Sequence, residues 1–477
     1  MKSYLTILHY VSTLCRFSVL PMFISLFSFL FQPQNHNEIA IMFFIALIIL
    51  GFNILIARLT LPFKNCRLHR GDDAIIVTLT WIMTIVFSAI PYLFLTNLTI
   101  VQAIFESTSG WTTTGLSVIN VDSASQTILL YRSLTQFFGG VGIVLIVFTF
   151  LSDSYGLKLY TQEGHNDRLL PNVLKSARLI SLIYLGYVIF GILGYVVLGM
   201  GLFDAINISM AALSTGGFAP RSQSLAFYQS SWIEWFTMVL MILGATNFAA
   251  HMLLIKRQFM NFFRTSEFKL LVGVTLLSLC FILLSGAQFQ VGVRTILFEL
   301  ISSITTTGFT TTSYSLWRPV WVLVLIFLMI IGGGSGSTAG GIKQSRVVAV
   351  FKSMIMHVRR YTLPRQVIKE STMHNSRGET LVIDKAMSLD ASMYVLIYIM
   401  FLVFGTLIIA GQGYTLLDSF FEFASSLGTV GTSVGIISLS ASNIVLITSI
   451  IGMILGRLEI LVVIAAAMTL KHRLFNS

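Results

Sequence analysis

Four stretches of this chain set threonine hydroxyls beside glycine: FESTSGWTTTGLS (105–117), INISMAALSTGGFA (206–219), FELISSITTTGFTTT (298–312) and FEFASSLGTVGTSVG (421–435). Aligned on the glycine, they pair Thr114 with Gly115, Thr215 with Gly216, Thr307 with Gly308 and Val430 with Gly431. Glycine permits the positive φ that turns successive carbonyls toward one side. A ring of such carbonyls, with threonine hydroxyls beside it, can replace the hydration shell of a monovalent cation. One T-x-G is worthless as a signal, whereas four at matched positions are strong. The candidate ligands are Thr113, Thr114, Gly115, Ser214, Thr215, Gly216, Thr306, Thr307, Gly308, Thr429, Val430 and Gly431.

Such loops need elements to hold them. Glu106, Glu299 and Glu422 each precede the aligned glycine by nine residues, and Asn207 holds that place in the second copy. A polar residue early in a short helix suits the positive end of the helix dipole, and glycine ends the helix. Each copy sits between two apolar runs, in a connection too short and too hydroxyl-rich to cross a bilayer. The period is therefore span, short re-entrant helix, Thr/Gly loop, span. Irregular backbone at membrane depth survives only buried in protein or lining water, and four loops meeting on one axis satisfy that condition.

The composition agrees: 477 residues, 55% of them hydrophobic and only 10% charged, against roughly 25% charged in soluble domains. With about 20 apolar residues needed per span, ten spans are expected, near 14–31, 39–57, 74–95, 128–151, 179–203, 232–255, 268–286, 317–356, 391–411 and 443–470. The fold class expected is an all-α polytopic membrane protein. An N-terminal helix pair (1–60) would precede four pseudo-symmetric units at 61–158, 159–260, 261–360 and 361–477, each a helix, pore helix, filter loop and helix around one ion pore. Of 30 Lys and Arg residues, 23 fall in five segments: 58–70, 158–178, 256–269, 343–385 and the tail. Basic residues stay cytoplasmic. The formal charge of +11 therefore reports topology, with both termini cytoplasmic, and not nucleic-acid binding. Cys15, Cys66 and Cys280 have neither metal nor disulfide spacing.

The third unit carries IGGGSGSTAGGIK, six glycines between Gly332 and Gly341 where a helix should continue. Glycine costs a helix interior about 1 kcal/mol per residue relative to alanine. This polar break, 332–341, reads as a movable gate built from Gly334, Ser335, Gly336, Ser337 and Thr338. Arg457, about fourteen residues into the last span, is its electrostatic companion, because a charge near the midplane is functional by default. Competing readings are weaker. GGSG at 333–336 matches the GxSG of rhomboid-type intramembrane proteases, but His357, His374 and His472 lie in loops or at helix ends and His251 precedes it. A phosphate loop fails because Ile342 separates Gly341 from Lys343. A sodium- or proton-coupled secondary carrier would show two inverted halves, whereas all four copies run the same way. Gly139, Gly140 and Gly142 in QFFGGVGIV suit close helix packing. Asn247 and His251, four apart, read as an interhelical hydrogen-bonding pair, and Glu234 as interfacial.

With these residues in view, the chain resembles the Trk/Ktr/HKT superfamily of potassium transporters, and most of all the TrkH/TrkG branch. The resemblance spans nearly the whole chain: the four loops, GGGSGSTAGG, GRLE at 456–459, and the extra N-terminal pair that is missing from typical KtrB chains. It implies a potassium-selective subunit of a bacterial Trk-type uptake system, not an enzyme, dimeric in the inner membrane. K+ would be the transported ion, bound at the four loops, with no organic cofactor on this chain. A cytosolic nucleotide-binding subunit of the TrkA type would dock on the basic face. The four filter glycines carry over to Gly115, Gly216, Gly308 and Gly431. In plant relatives a serine at the first of these goes with sodium, so Gly115 favours potassium. Two positions depart from the pattern: Asn207 in place of an acidic residue, and TVGTS at 429–433 in place of NLGPG.

Overall fold

The computed structural model describes residues 2–64, 66, 68–69, 71–142, 173–286, 291–314, 317–362 and 370–475. Within them one order of elements recurs four times: a long outer helix, a short helix, an irregular loop and an inner helix. The first unit has Asp72–Leu95, Ile100–Trp111 and Gln126–Val141. The second has Val173–Val197, Leu202–Leu213 and Ser231–Ala245, continued by Phe248–Ile255. The third has Ser266–Leu284, Val293–Ile304 and Pro319–Ile331, continued by Gln344–Arg360. The fourth has Lys385–Ala410, Leu416–Leu427 and Asn443–Leu458, continued by Ile460–Phe475. An N-terminal pair, Ser3–Leu30 with 3-10 turns in its second half and His36–Leu59, packs on the outer side of the first unit.

All four short helices are 12 residues long. Thr99 opens the first with a capping box to Gln102, and Thr415 accepts from the Asp418 amide to open the fourth. Such caps satisfy amides that would otherwise be orphaned at a helix start. From its middle onward each short helix is wholly buried. The apolar core has two parts, one joining the N-terminal pair to units one and two, the other joining units three and four. The outer helices turn large apolar side chains outward, among them Ile48, Leu193, Leu277 and Phe404, as lipid-facing surfaces must.

The expected ten spans are corrected in an instructive way. Among the described residues six helices are long and apolar enough to cross a membrane, or up to eight if bent pairs count as one. The first begins at Ser3 rather than near residue 14. The spans expected at 232–255 and 443–470 are not straight: they bend by 113° at Thr246 and by 102° at Glu459. The first inner helix likewise ends at Gly142 (φ 92) and the third at Gly332 (φ 68). Among the described residues the glycine stretch is the longest of these breaks. The bends at Thr246 and Glu459 escape sequence reading because apolar runs continue through them; they are held by side-chain contacts, Asn247 capping the new helix through the Ala249 amide (2.7 Å) and Arg346 pairing with Glu459 (2.7 Å). The end of the span expected at 128–151 and most of the basic segment 158–178 lie outside the described residues.

One tie closes the bundle on itself. Asp72, fully buried, accepts from the His69 amide (2.8 Å) and the Ser3 hydroxyl (3.3 Å) and pairs with Arg473 of the last helix. Removing one partner of a buried pair leaves the other charge uncompensated, at about 3–5 kcal/mol. Asp72→Ala should therefore lower the thermal midpoint in detergent markedly, with Arg473→Met added to it recovering part of the loss; a midpoint unchanged in Asp72→Ala would show that this tie carries no stability.

Candidate functional site

The four short helices end in the same way. Two amides fold back at each: Thr113 to Gly110 and Thr114 to Ser109; Thr215 to Ala212 and Gly216 to Ala211; Thr306 to Ser303 and Thr307 to Ser302; Thr429 to Ser426 and Val430 to Ser425, all at 2.8–3.2 Å. This is the Schellman pattern, whose left-handed position is usually glycine. Here it is threonine four times, with φ of 55°, 50°, 53° and 48° at Thr113, Thr215, Thr306 and Thr429. A β-branched residue at positive φ is an outlier, at about 1–3 kcal/mol each. Such strain repeated at four matched positions marks a site.

The caps also correct the register of the second loop. Matched on the caps, Gly115, Gly217, Gly308 and Gly431 are equivalent, all with positive φ (94°, 72°, 81° and 101°). Gly216 instead matches Thr114, Thr307 and Val430. The alignment on the first glycine of TGG was one residue off; aligning STGGF with TTTGF on the phenylalanine gives the observed pairing. The same shift makes Ile208, not Asn207, the counterpart of the three glutamates. Asn207 simply donates to the Phe203 carbonyl one turn back (2.7 Å).

These glycines close a ring. A methyl built on Gly115 would fall within 3.0 Å of the Gly216 carbonyl oxygen; on Gly217, of Thr307; on Gly308, of Val430; on Gly431, of Thr114. Each unit's glycine thus lies against the carbonyl of the next unit, in the cyclic order one to four. Behind the ring, Glu106 accepts from the Val118 amide (3.0 Å) and Ser117 hydroxyl (2.9 Å), Glu299 from the Thr311 amide (2.8 Å), and Glu422 from the Val434 amide (3.1 Å) and Ser433 hydroxyl (2.6 Å). Each carboxylate latches the chain twelve residues on, so it fixes the loop and does not face the axis. The buried hydroxyls of Thr113 and Thr429 have no hydrogen-bond partner among the described residues.

The break at 332–341 packs directly under the ring. Its Gly340 amide donates to the Thr306 hydroxyl (2.8 Å), the Thr338 hydroxyl lies 3.1 Å from that of Thr215, and Gly340 abuts the Thr429 side chain. Lower down, Ser335 takes its amide to Glu267 (3.0 Å) and its carbonyl to Asn247, the Gly334 amide donates to Ala245 (2.9 Å), the Gly336 carbonyl accepts from Phe248 (3.2 Å), and Ser337 caps Gly334 (2.7 Å). Arg457 donates to the Thr338 carbonyl (2.7 Å) and to the Gly139 and Gly140 carbonyls (2.9 Å to Gly140). Its neighbour Glu459 pairs with Arg346 instead. Lys343, not foreseen, donates to the Ala339 carbonyl (2.7 Å). His251 bonds Tyr187 (3.1 Å) and the Leu243 carbonyl (3.0 Å), a structural role. Asn247 stands at the N-cap of the Phe248–Ile255 helix, one turn before His251, and donates to the Ser335 carbonyl and the Ser376 hydroxyl (3.0 Å to Ser376). Glu234 pairs with Arg294 (2.6 Å). The described residues hold no cluster of three His, Cys, Asp or Glu that could bind a metal ion.

A multi-pass membrane protein built from four like units about one axis, with strained hydroxyl-lined loops at its centre, has the architecture of a membrane transporter. The chain belongs to the TrkH family of cation transport proteins, whose model matches residues 40–291 and 287–475. This is a family of transporters and not of enzymes. An uncharacterized cation transporter of Methanocaldococcus jannaschii is 30% identical over 88% of this chain and 87% of its own. The Trk system potassium uptake protein TrkG of Escherichia coli is 31% identical (84% and 85%), and the TrkH protein of that organism 29% (83% and 84%). The crystal structure of the potassium transporter TrkH from Vibrio parahaemolyticus shares the fold, with a TM-score of 0.83 over 97% of this chain and 98% of that one, at 23% identity.

The corrected register has a direct test. Gly217→Ala should impair cation uptake in expressing cells as severely as Gly115→Ala, because both put a methyl into a backbone carbonyl. Gly273→Ala, with open space around it, should transport normally; a Gly217→Ala protein that inserts and transports like wild type would reject the ring position.

Proposed function

We propose that this chain is the potassium-translocating subunit of a Trk-type uptake system in a bacterial inner membrane, with both termini cytoplasmic. In this reading the carbonyls of Thr114, Gly216, Thr307 and Val430, with the hydroxyls of Thr113, Thr215, Thr306 and Thr429, take the place of the ion's water. The observation that carries it is the closed carbonyl-to-glycine ring, since backbone oxygens at fixed spacing can match a dehydrated monovalent cation. The unpartnered hydroxyls of Thr113 and Thr429 support it, as buried hydroxyls ordinarily find partners. The potassium uptake named in the TrkG and TrkH relatives points to the same ion.

The break at 332–341 serves as the gate. It stands across the cytoplasmic mouth of the ring, and its hydrogen bonds go to the second unit, to its own unit and to Arg457 of the fourth, so another set of partners at similar energy gives a second state. Arg457 holds the loop through the Thr338 carbonyl. The basic segment 343–385 suits a cytosolic nucleotide-binding partner of the TrkA type, and the assembly is a homodimer.

Two measurements test this. Gly115→Ser should reduce the preference for potassium over sodium in liposome flux, and an unaltered preference in a well-folded protein counts against the filter. Deleting part of 334–339, or Arg457→Ala, should raise basal potassium flux and loosen its dependence on the partner while sparing that preference; an inserted deletion with wild-type flux and regulation rules out the gate.

A further inference from the structure

The second loop is the odd one of the four, and its differences share one cause. In units one, three and four the glutamate latches an amide and, in each, a hydroxyl eleven or twelve residues on: Ser117 and Val118, Thr311, Ser433 and Val434. In unit two the acceptor is replaced by Ile208, buried and apolar, and the donors by Ala219 and Pro220. Proline has no amide to offer. Acceptor and hydroxyl and amide donors have vanished together, so the second loop has lost the brace of the other three.

A substitute comes from the first unit's inner helix. Gln136, fully buried, donates through Nε2 to the Gly216 carbonyl and accepts through Oε1 from the Phe218 amide (3.1 Å). Four residues earlier Arg132, paired with Glu106 (2.7 Å), lies over the Phe218 ring at 3.9 Å. The same contact explains Gly216 itself. Its φ is ordinary, and the equivalent positions hold Thr114, Thr307 and Val430, but a methyl at 216 would run into the Gln136 carboxamide within 3.0 Å. The other inner helices have no such group. Gly139, Gly244 and Gly456 each pass under the last carbonyl of their own short helix, and three residues before them stand Gln136, Met241 and Met453.

We infer that Gln136 is a specificity-determining positioning residue: the second quarter of the ion site is braced in trans by the first unit, through the Gln136 carboxamide, in place of the glutamate latch used by the other three. This rests on the filter reading above. Gly216 supplies one of the four ring carbonyls, and Gln136 is the side chain that sets where that oxygen stands and how much of its charge remains for a cation.

The test uses the full chain in liposomes, measuring potassium and sodium flux separately. Gln136→Met keeps the volume and removes the brace. It should lower the potassium-to-sodium flux ratio by about tenfold, the factor that one hydrogen bond carries, while total flux persists. Transplanting the latch of the other units, Ile208→Glu with Ala219→Ser and Pro220→Val, into the Gln136→Met chain should restore the ratio, which a general packing defect would not allow. Gly216→Thr provides a second arm: it should damage selectivity where Gln136 is present and be tolerated in the transplanted chain lacking it. A wild-type ratio in Gln136→Met overturns the inference, as does Gly216→Thr behaving alike in both backgrounds. Should Gln136→Met fail to give monodisperse protein, the Gly216→Thr pair decides alone. Gly115→Ser in the same assay separates the two levels: if it leaves the ratio unchanged the filter reading fails, and if it lowers the ratio while Gln136→Met does not, only the trans brace fails.

Discussion

A helix that ends inside a membrane leaves carbonyls and amides with no water to meet them, each at several kcal/mol if unsatisfied. Eight helix ends of this chain, those of the four short helices and the four inner ones, face that demand, and the centre of the molecule is organised around meeting it. The short helices solve it with Schellman caps that hold threonine in left-handed geometry. Where the inner helices end, freed groups of one unit meet donors of another. The Arg457 guanidinium is spent on three such carbonyls and the Thr338 hydroxyl on the Leu213 and Gly244 carbonyls.

That shared solution makes the units interdependent. The glycine of each loop lies against the carbonyl of the next, so no quarter of the ring can shift without moving a neighbour. Burying the loops behind glutamate latches and apolar short helices gives them the rigidity that four strained threonines require. The break at 332–341 is different in kind. Its bonds are many and are divided between its own unit and the second and fourth, and a glycine-rich backbone has little intrinsic preference for one shape over another. Rigid ring and adaptable loop therefore lie in contact, joined at Thr215, Thr306 and Thr429.

The pseudo-symmetry is incomplete where the first and second units meet. Arg132 there both pairs with Glu106 and covers Phe218, a buried charge of the first unit serving a loop of the second. A single chain can differentiate its four quarters in this way, which four identical subunits cannot.

Much of this was legible in the residues alone. Four hydroxyl–glycine stretches between apolar runs dictated the repeat, and composition and the placement of basic residues dictated a polytopic membrane protein, because both follow from solvation and need no partner to be seen. The glycine run announced its own break, since no helix forms readily through six glycines. The tertiary structure decided what depends on contacts between units. Gly217 rather than Gly216 closes the ring because hydrogen bonds across the cap, not letter matching, set register. The bends at Thr246 and Glu459 pass through apolar sequence and exist because Asn247 and Arg346 reward them. Arg457 meets backbone carbonyls rather than Glu459, a choice that spacing along one helix could not reveal because the competing partners come from elsewhere in the chain.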